Sequence, residues 1–296
     1  MKTDKKIFAL GFFDGVHLGH QALLKECCRL AEELGCESAA ITFDRHPKSL
    51  FVQPAPLLIC TAPERHRLLR SYGIDHIREY PVSKAIMSTP WQAFLKDLLG
   101  CGAAGFVCGE DFRFGRQGEG DAEKLKAACG ELGIPCVVIP QQTLNGERIS
   151  SSYIRELIED GKMQTATEFL GHPYVLTGTV IHGMQLGRKL GRPTANLRLP
   201  QELAVPKFGA YACVACVDGQ RYPAVTNIGI RPTVNGRGRT VEAWILDFEG
   251  DLYDREITLE FHYFLRPEVK FPHLVALQRQ IQFDAQQTRE YLEAHL

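Results

Sequence analysis

Long hydrophobic runs are missing from the start of the sequence. In MKTDKKIFALGFFDG the apolar stretch is broken by Gly11 and Asp14, too soon for a secretory signal or a membrane-spanning helix. A cytoplasmic protein with no membrane partner is the expectation. An excess of charge of either sign is also missing: 34 Lys and Arg stand against 35 Asp and Glu, so no chain-wide field draws in nucleic acid. Any phosphate chemistry must come from local sites. Low-complexity tracts and internal repeats do not occur, which argues against a long floppy linker. Cysteine is not scarce, at ten residues, yet these lie in apolar stretches of a long chain without an export signal, which favours reduced thiols over a disulfide scaffold. Cys213 and Cys216 have the spacing of a zinc knuckle. No second ligand pair follows them, and in the strand-like YACVACV residues three apart face opposite sides.

What is present is an ordinary globular composition, 45% apolar and 23% charged, over 296 residues. That length favours two domains. The first half alternates apolar runs (KIFALG, ESAAITF, HIREYPV, AAGFVCG, PCVVIP) with amphipathic segments, the pattern of βαβ units. One helix runs from Gly19 to Leu34, with Leu23, Leu24, Cys27, Leu30, Ala31 and Leu34 at helical spacing. The fold class expected is α/β, a doubly wound parallel sheet over residues 1–172 with ligands beyond the carboxyl ends of its strands. SSSYIRELIEDG and MQTATEFLG add two helices closed by Gly161 and Gly171. From Tyr174 the character changes to short alternating runs separated by Gly, Asn, Asp and Pro. An antiparallel β-barrel over residues 173–296, closed by a helix from about Pro272 to Leu292, is expected there.

GFFDGVHLGH, from Gly11 to His20, places glycines and two histidines where a strand ends and a helix begins. Helix N-terminal amides favour an anion, and His17 and His20 are suited to donate hydrogen bonds to charge building on a phosphorus under attack. The stretch resembles the adenylyltransferase module of the bacterial bifunctional riboflavin kinase and FAD synthetase family, related to other His-x-Gly-His nucleotidyltransferases. Three later segments resemble the same family in order. TFDRHPKSLF, with Arg45 where proline is more usual, is similar to its loop near the flavin and implies Phe43, His46 and Pro47 as flavin-binding residues. GEDFRFG, with Gly118 and Gly120 after it, is similar to its nucleotide loop. ISSSYIR is similar to the signature that contacts the outer ATP phosphates.

The resemblance implies His17, His20 and Arg155 as catalytic residues. Gly11, Phe12, Asp14, Gly15, Gly19, Asp111, Ser151 and Ser152 are the implied nucleotide contacts, with Asp14 or Asp111 assisting metal or nucleotide. The physics is compatible: Ser151, Ser152 and Arg155 offer donors at a helix start for a departing pyrophosphate. The acceptor, the phosphate of FMN, is already an anion at neutral pH, so no general base is required.

In the second half, GMQLGRKLGRPTANL is neither a Walker loop nor a Rossmann fingerprint. On its own it reads more readily as a turn with a solvated basic face than as a binding loop. It resembles the riboflavin kinase module of the same family, which implies Gly183, Arg188, Gly191, Thr194 and Asn196 as nucleotide contacts. In that module Thr194 and Asn196 also position magnesium. KFGAYA, AVTNIGIRPTV, VEAWILDFEGDLYD and FLRPEVKF match in order. Kinase chemistry on the neutral 5′-hydroxyl of riboflavin benefits from a carboxylate that takes its proton, and Glu242 is the matching residue. Two departures stand out: Ala243 and Trp244 follow Glu242 where a small hydroxyl residue and a histidine are commoner, and Arg192 occupies a usually apolar position. Trp244 is suited to an inward aromatic position.

The activity implied is conversion of riboflavin to FMN and of FMN to FAD with magnesium ATP, and the partners implied are the small molecules riboflavin, FMN and ATP, without nucleic acid. Two alternatives stay open on sequence alone, an enzyme confined to FMN adenylylation and a non-catalytic flavin-binding protein.

Overall fold

In Lys6–Leu10 (β1) every residue from Ile7 onward is buried, as a strand covered on both faces requires. Ile7 and Ala9 pack on one face with Val107, Leu24 and Leu69, while Phe8 and Leu10 pack on the other with Phe106, Leu98 and Leu125. This two-sided core belongs to the first of two compact units, Met1–Tyr153 and Ile154–Leu296, in a computed structural model that describes residues 4–182, 194–233 and 236–296.

The first unit continues with α1 (Leu18–Glu33), β2 (Glu37–Phe43), α2 (Ala62–Ser71), β3 (His76–Tyr80), α3 (Lys84–Met87), α4 (Trp91–Gly100) and β4 (Ala103–Gly109). After these come β5 (Arg113–Phe114), β6 (Gly120–Asp121), α5 (Ala122–Leu132), β7 (Cys136–Ile139), β8 (Thr143–Leu144) and β9 (Glu147–Arg148). β1, β2, β3, β4 and β7 form one parallel sheet in the order β3-β2-β1-β4-β7. The order reverses direction at β1 and β4, so the crevice for a ligand opens beyond their carboxyl ends. Helix starts follow their caps: Thr61 Oγ1 accepts the Glu64 N–H at 3.3 Å, and Asp121 Oδ1 accepts that of Lys124 at 2.9 Å. The doubly wound sheet is as expected. The hairpins β5–β6 and β8–β9 and the one-turn α3 were not anticipated, since pieces of two to four residues carry no measurable period.

α6 (Ser151–Glu159) and α7 (Met163–Leu170) come next in the chain. The second unit then builds β10 (Tyr174–Ile181), β11 (Ala195–Arg198), β12 (Gly209–Val217), β13 (Gln220–Thr233), β14 (Gly236–Ile245), β15 (Glu256–Pro267) and α8 (Leu274–His295). The six strands close into a barrel ordered β10-β11-β14-β13-β12-β15, with antiparallel neighbours and β15 returning to β10. The antiparallel barrel and closing helix are as expected. β11 was read as part of a glycine-punctuated segment rather than as a strand. Its four residues alternate buried and less buried, too short a run to stand out. Tyr174, buried at the start of β10, donates its hydroxyl proton to the carbonyl of Ala204.

Cys213 is wholly buried and Cys216 partly so, on opposite faces of β12. Among the described residues no group of three or more His, Cys, Asp or Glu is arranged to hold a metal ion.

α8 lies on the outside of the barrel, held by an exposed ion pair of Arg289 with Asp247 and by a buried one. Asp284, 1% exposed, receives Arg266 of β15 through Nε at 3.1 Å and Nη2 at 2.7 Å, while Gln280 Nε2 donates to its Oδ1 at 2.8 Å. Removing one partner of such a pair strands the other charge without water. Asp284→Ala is therefore expected to lower stability by about 3–5 kcal/mol, and Asp284→Asn by less, in urea unfolding monitored by circular dichroism. Equal stability of Asp284→Ala and the parent would refute this role.

Candidate active sites

The turn after β1 departs from ordinary backbone geometry. Phe13 (φ 58°), Gly15 (φ 76°) and Val16 (φ 41°) all lie in the left-handed region, which a β-branched residue such as Val16 rarely enters. Buried hydrogen bonds hold it. The carboxylate of Asp14, 2% exposed, accepts the backbone N–H groups of Ile59 at 2.8 Å and Cys60 at 3.3 Å. Thr42 Oγ1 donates to Phe12 O at 2.8 Å, and Gln21 Nε2 to Val16 O at 2.9 Å. At Gly15 a Cβ would stand 2.7 Å from Ile59, so a side chain is excluded by space as well as by φ.

The turn delivers His17 to the N-cap of α1, where its Nδ1 accepts the His20 N–H at 3.3 Å. The two imidazoles stack with ring centroids 3.7 Å apart and planes 14° from parallel. His20 Nδ1 is buried without a hydrogen-bond partner. Its pKa is held well below the usual histidine value, first by burial and second by His17. A neutral imidazole with an unmet nitrogen at a helix N-terminus is disposed to gain a proton or a partner when an anion arrives.

Both histidines line a cavity of about 360 Å³ beyond the ends of β1 and β4, together with Gly11, Phe12, Gly19 and Asp111. Asp111 is ion-paired with Arg148, which also lines this cavity. Ser150 caps α6 by accepting the Tyr153 N–H at 3.3 Å, and Ser151 Oγ donates to Asp14 O at 3.1 Å, tying the helix start to the strained turn. Ser150 and Ser151 line the cavity; Ser152 is exposed, and Arg155 is half-buried on the next turn of α6. Asp14 and Gly15 are buried in the turn and do not line this cavity.

A second cavity of about 420 Å³ is largely aromatic and aliphatic, walled by Phe43, Pro47, Phe51, Met87, Phe94 and Phe114. Phe43 and Pro47 line both cavities. His46 does not line either. It caps the short turn Pro47–Leu50, accepting the Lys48 N–H at 3.1 Å, with its ring against Phe12 at 5.2 Å. The hairpin β5–β6 approaches α4 closely enough that a Cβ on Gly115 (φ 75°) would stand 2.7 Å from the Trp91 backbone. The sequence reading missed this far wall. Its residues come from three separate segments, and the one signal was the apolar face of PWQAFLKDLL.

In the barrel, Asn196 of β11 is directly opposite Glu242 of β14, and Glu242 is opposite Asn227 of β13. Directly opposed residues share a face, so the register makes a rung of carboxamide, carboxylate and carboxamide. Alternation puts the rung on the outer face: Ala195, Leu197, Val241 and Ala243 fill the interior, whereas Asn196, Asn227 and Glu242 are half-buried. Asn196 Nδ2 reaches the Thr194 carbonyl at 3.5 Å. Asn227 was not singled out from sequence. Gly183, Arg188, Gly191 and Arg192 lie outside the described residues. Trp244 is not inward: it sits on the outer face, packed with Val225, Leu246, Leu265 and Ala285 of α8, and the interior position is taken by Ala243.

The FAD synthetase family model matches residues 1–153, and the riboflavin kinase family model matches residues 170–292. The first spans the sheet unit with its histidine turn and the second spans the barrel with its rung. A bifunctional riboflavin kinase/FMN adenylyltransferase of Listeria monocytogenes is 34% identical over 97% of this chain and 92% of its own length. One of Pseudomonas fluorescens is 36% identical over 96% and 92%. The chain belongs to the bifunctional riboflavin kinase/FMN adenylyltransferase family. A solved structure from Streptococcus pneumoniae, described as a macrolide-efflux protein, is 30% identical and superposes with a TM-score of 0.88 over 96% of this chain and 94% of that one. No helix among the described residues is long and apolar enough to cross a membrane. The family's two activities thus coincide with the two folds seen here.

The depressed His20 pKa has a testable consequence. An unfolded chain takes up this proton near pH 6.5, whereas the folded chain does so only at lower pH. Stability should therefore fall as pH drops through 6.5 toward the folded value, and His20→Asn should flatten that part of the curve. Urea melts at several pH values check this, with imidazole NMR titration as the direct readout. A His20 that titrates at or above the usual value would refute it.

Proposed function

We propose that the C-terminal half phosphorylates riboflavin to FMN and the N-terminal half transfers AMP from ATP to that FMN, giving FAD and pyrophosphate. The observation that carries the reading is the coincidence, in one chain, of both family matches with a histidine pair at a sheet switch point and a carboxylate rung on a closed barrel. The corresponding domains are residues 1–172 and 173–296.

In the first reaction site the polar cavity takes the ATP and the aromatic cavity takes the flavin ring, with Phe43 and Pro47 at its edge. A phosphate oxygen of FMN attacks the α-phosphorus, and the bridge to the β-phosphate breaks. Because the acceptor is already anionic, the protein's work is positioning and stabilising charge. His17 and His20 donate to the α-phosphate oxygens, and Ser151 with the α6 N-terminus and Arg155 receives the departing pyrophosphate. Asp14 serves the site by holding the turn, and Asp111 by its loop. The strained backbone of that turn supports this role, since such geometry is retained where it orients reacting groups.

In the second, Glu242 accepts the proton of the riboflavin 5′-hydroxyl as it attacks the γ-phosphorus. Thr194 and Asn196 offer the oxygen donors that magnesium prefers, fewer than a protein cage supplies, which suits an ion carried largely by the ATP phosphates. Magnesium would neutralise phosphate charge in both reactions. The packing of Trp244 under α8 and of Ala243 inside the barrel accommodates the unusual residues after Glu242 while leaving Glu242 flanked by Asn196 and Asn227. That favours an intact kinase site over an enzyme confined to adenylylation. The near-equal balance of charges favours small-molecule substrates over nucleic acid.

Purified protein supplied with riboflavin, ATP and magnesium should yield FMN and then FAD on chromatographic separation of the flavins. With riboflavin supplied to read FMN formation and FMN supplied separately to read FAD formation, His20→Ala should reduce FAD formation by about 100-fold or more while sparing FMN formation, and Glu242→Gln should do the reverse. Absence of both products from the parent protein would sink the reading; equal loss of both activities in either folded variant would refute separate sites.

A further inference from the structure

The polar and aromatic cavities of the first unit are contiguous: they share Gly11, Phe43, Pro47, Phe112 and Arg113 as lining residues. Of these five only Arg113 bears a charge. It opens β5, where the hairpin holds it at the seam, and its side chain is 65% exposed. Its contact with Asp121 is a single one, Nη1 to Oδ2 at 3.3 Å, which among the described residues leaves most of the five guanidinium donors for another acceptor. The other cations of the cavities are placed differently. Arg148 pairs with Asp111 in the polar cavity, and Lys48 lines the aromatic one alone.

Resting on the adenylyltransferase reading above, a flavin in the aromatic cavity and ATP in the polar one must bring two anions to bonding distance at this seam. We propose that Arg113 binds the 5′-phosphate of FMN there and holds it against the α-phosphate of ATP, so that the site distinguishes FMN from riboflavin. The planar fork of arginine matches a phosphate through two parallel hydrogen bonds, and its charge offsets repulsion between the reactants. As the phosphate oxygen bonds to the α-phosphorus, the electron pair of the broken bridge departs on pyrophosphate and no proton has to move. Arg113 thus acts on the acceptor, whereas His17 and His20 act on the electrophile.

The test uses the full chain and steady-state FAD formation from FMN and ATP with magnesium. Arg113→Gln is expected to raise KM for FMN by about ten- to 100-fold with KM for ATP nearly unchanged, as loss of one charged hydrogen-bonding partner implies. Arg113→Lys should recover part of that loss. FMN formation from riboflavin and the melting temperature should match the parent for both variants, which separates a lost contact from a damaged fold. An unchanged KM for FMN in Arg113→Gln, with the parent making FAD, overturns this proposal alone. A parent that makes no FAD overturns the adenylyltransferase reading and this proposal with it.

Discussion

Much of the first site depends on the buried carboxylate of Asp14. Three residues in left-handed backbone within four positions, two of them with side chains, carry strain of about 1–3 kcal/mol each where the residue is not glycine. Such a turn persists only if its surroundings over-determine it. Asp14 does much of this by capping two peptide N–H groups of the segment at Ile59 and Cys60, and its own carbonyl takes the Ser151 hydroxyl. One residue thereby links the end of β1, the approach to α2 and the start of α6. The histidine stack is the outcome of that linkage.

The two sites solve different problems by different means. Adenylyl transfer joins two anions, and the proposed site offers a helix N-terminus, a stacked histidine pair and adjoining polar and aromatic cavities. Phosphorylation of an alcohol starts from a neutral nucleophile, and the barrel offers a carboxylate fixed by register between two carboxamides. On the proposed reading, the sheet carries its reaction where strands end, and the barrel carries its own midway along the strands, on the outer face.

Most of the architecture was legible because it is periodic: Phe8 and Leu10 against Ile7 and Ala9, or the alternation along β10, are patterns that burial imposes on sequence. His17, His20 and Glu242 were legible as motifs by resemblance. What escaped was anything set by tertiary approach. Arg113 looked like one residue of a nucleotide loop, and only the meeting of two cavities sets it apart. Asn227 acquired meaning from a register between strands that no local pattern encodes. Trp244 was suited to an inward aromatic place, and the sequence left open whether it faces core or flavin. The strand's alternation, once Glu242 faces outward, puts Trp244 outward too, and α8 is there to cover it.

That covering couples two distant parts of the chain. Trp244 sits two positions from Glu242 on the same strand face, packed against the cluster of Val225, Leu246 and Ala285. The outer face that carries the carboxylate is thus continuous with the seat of the C-terminal helix, and a change of side-chain volume on that face is felt at the helix as well as at the rung.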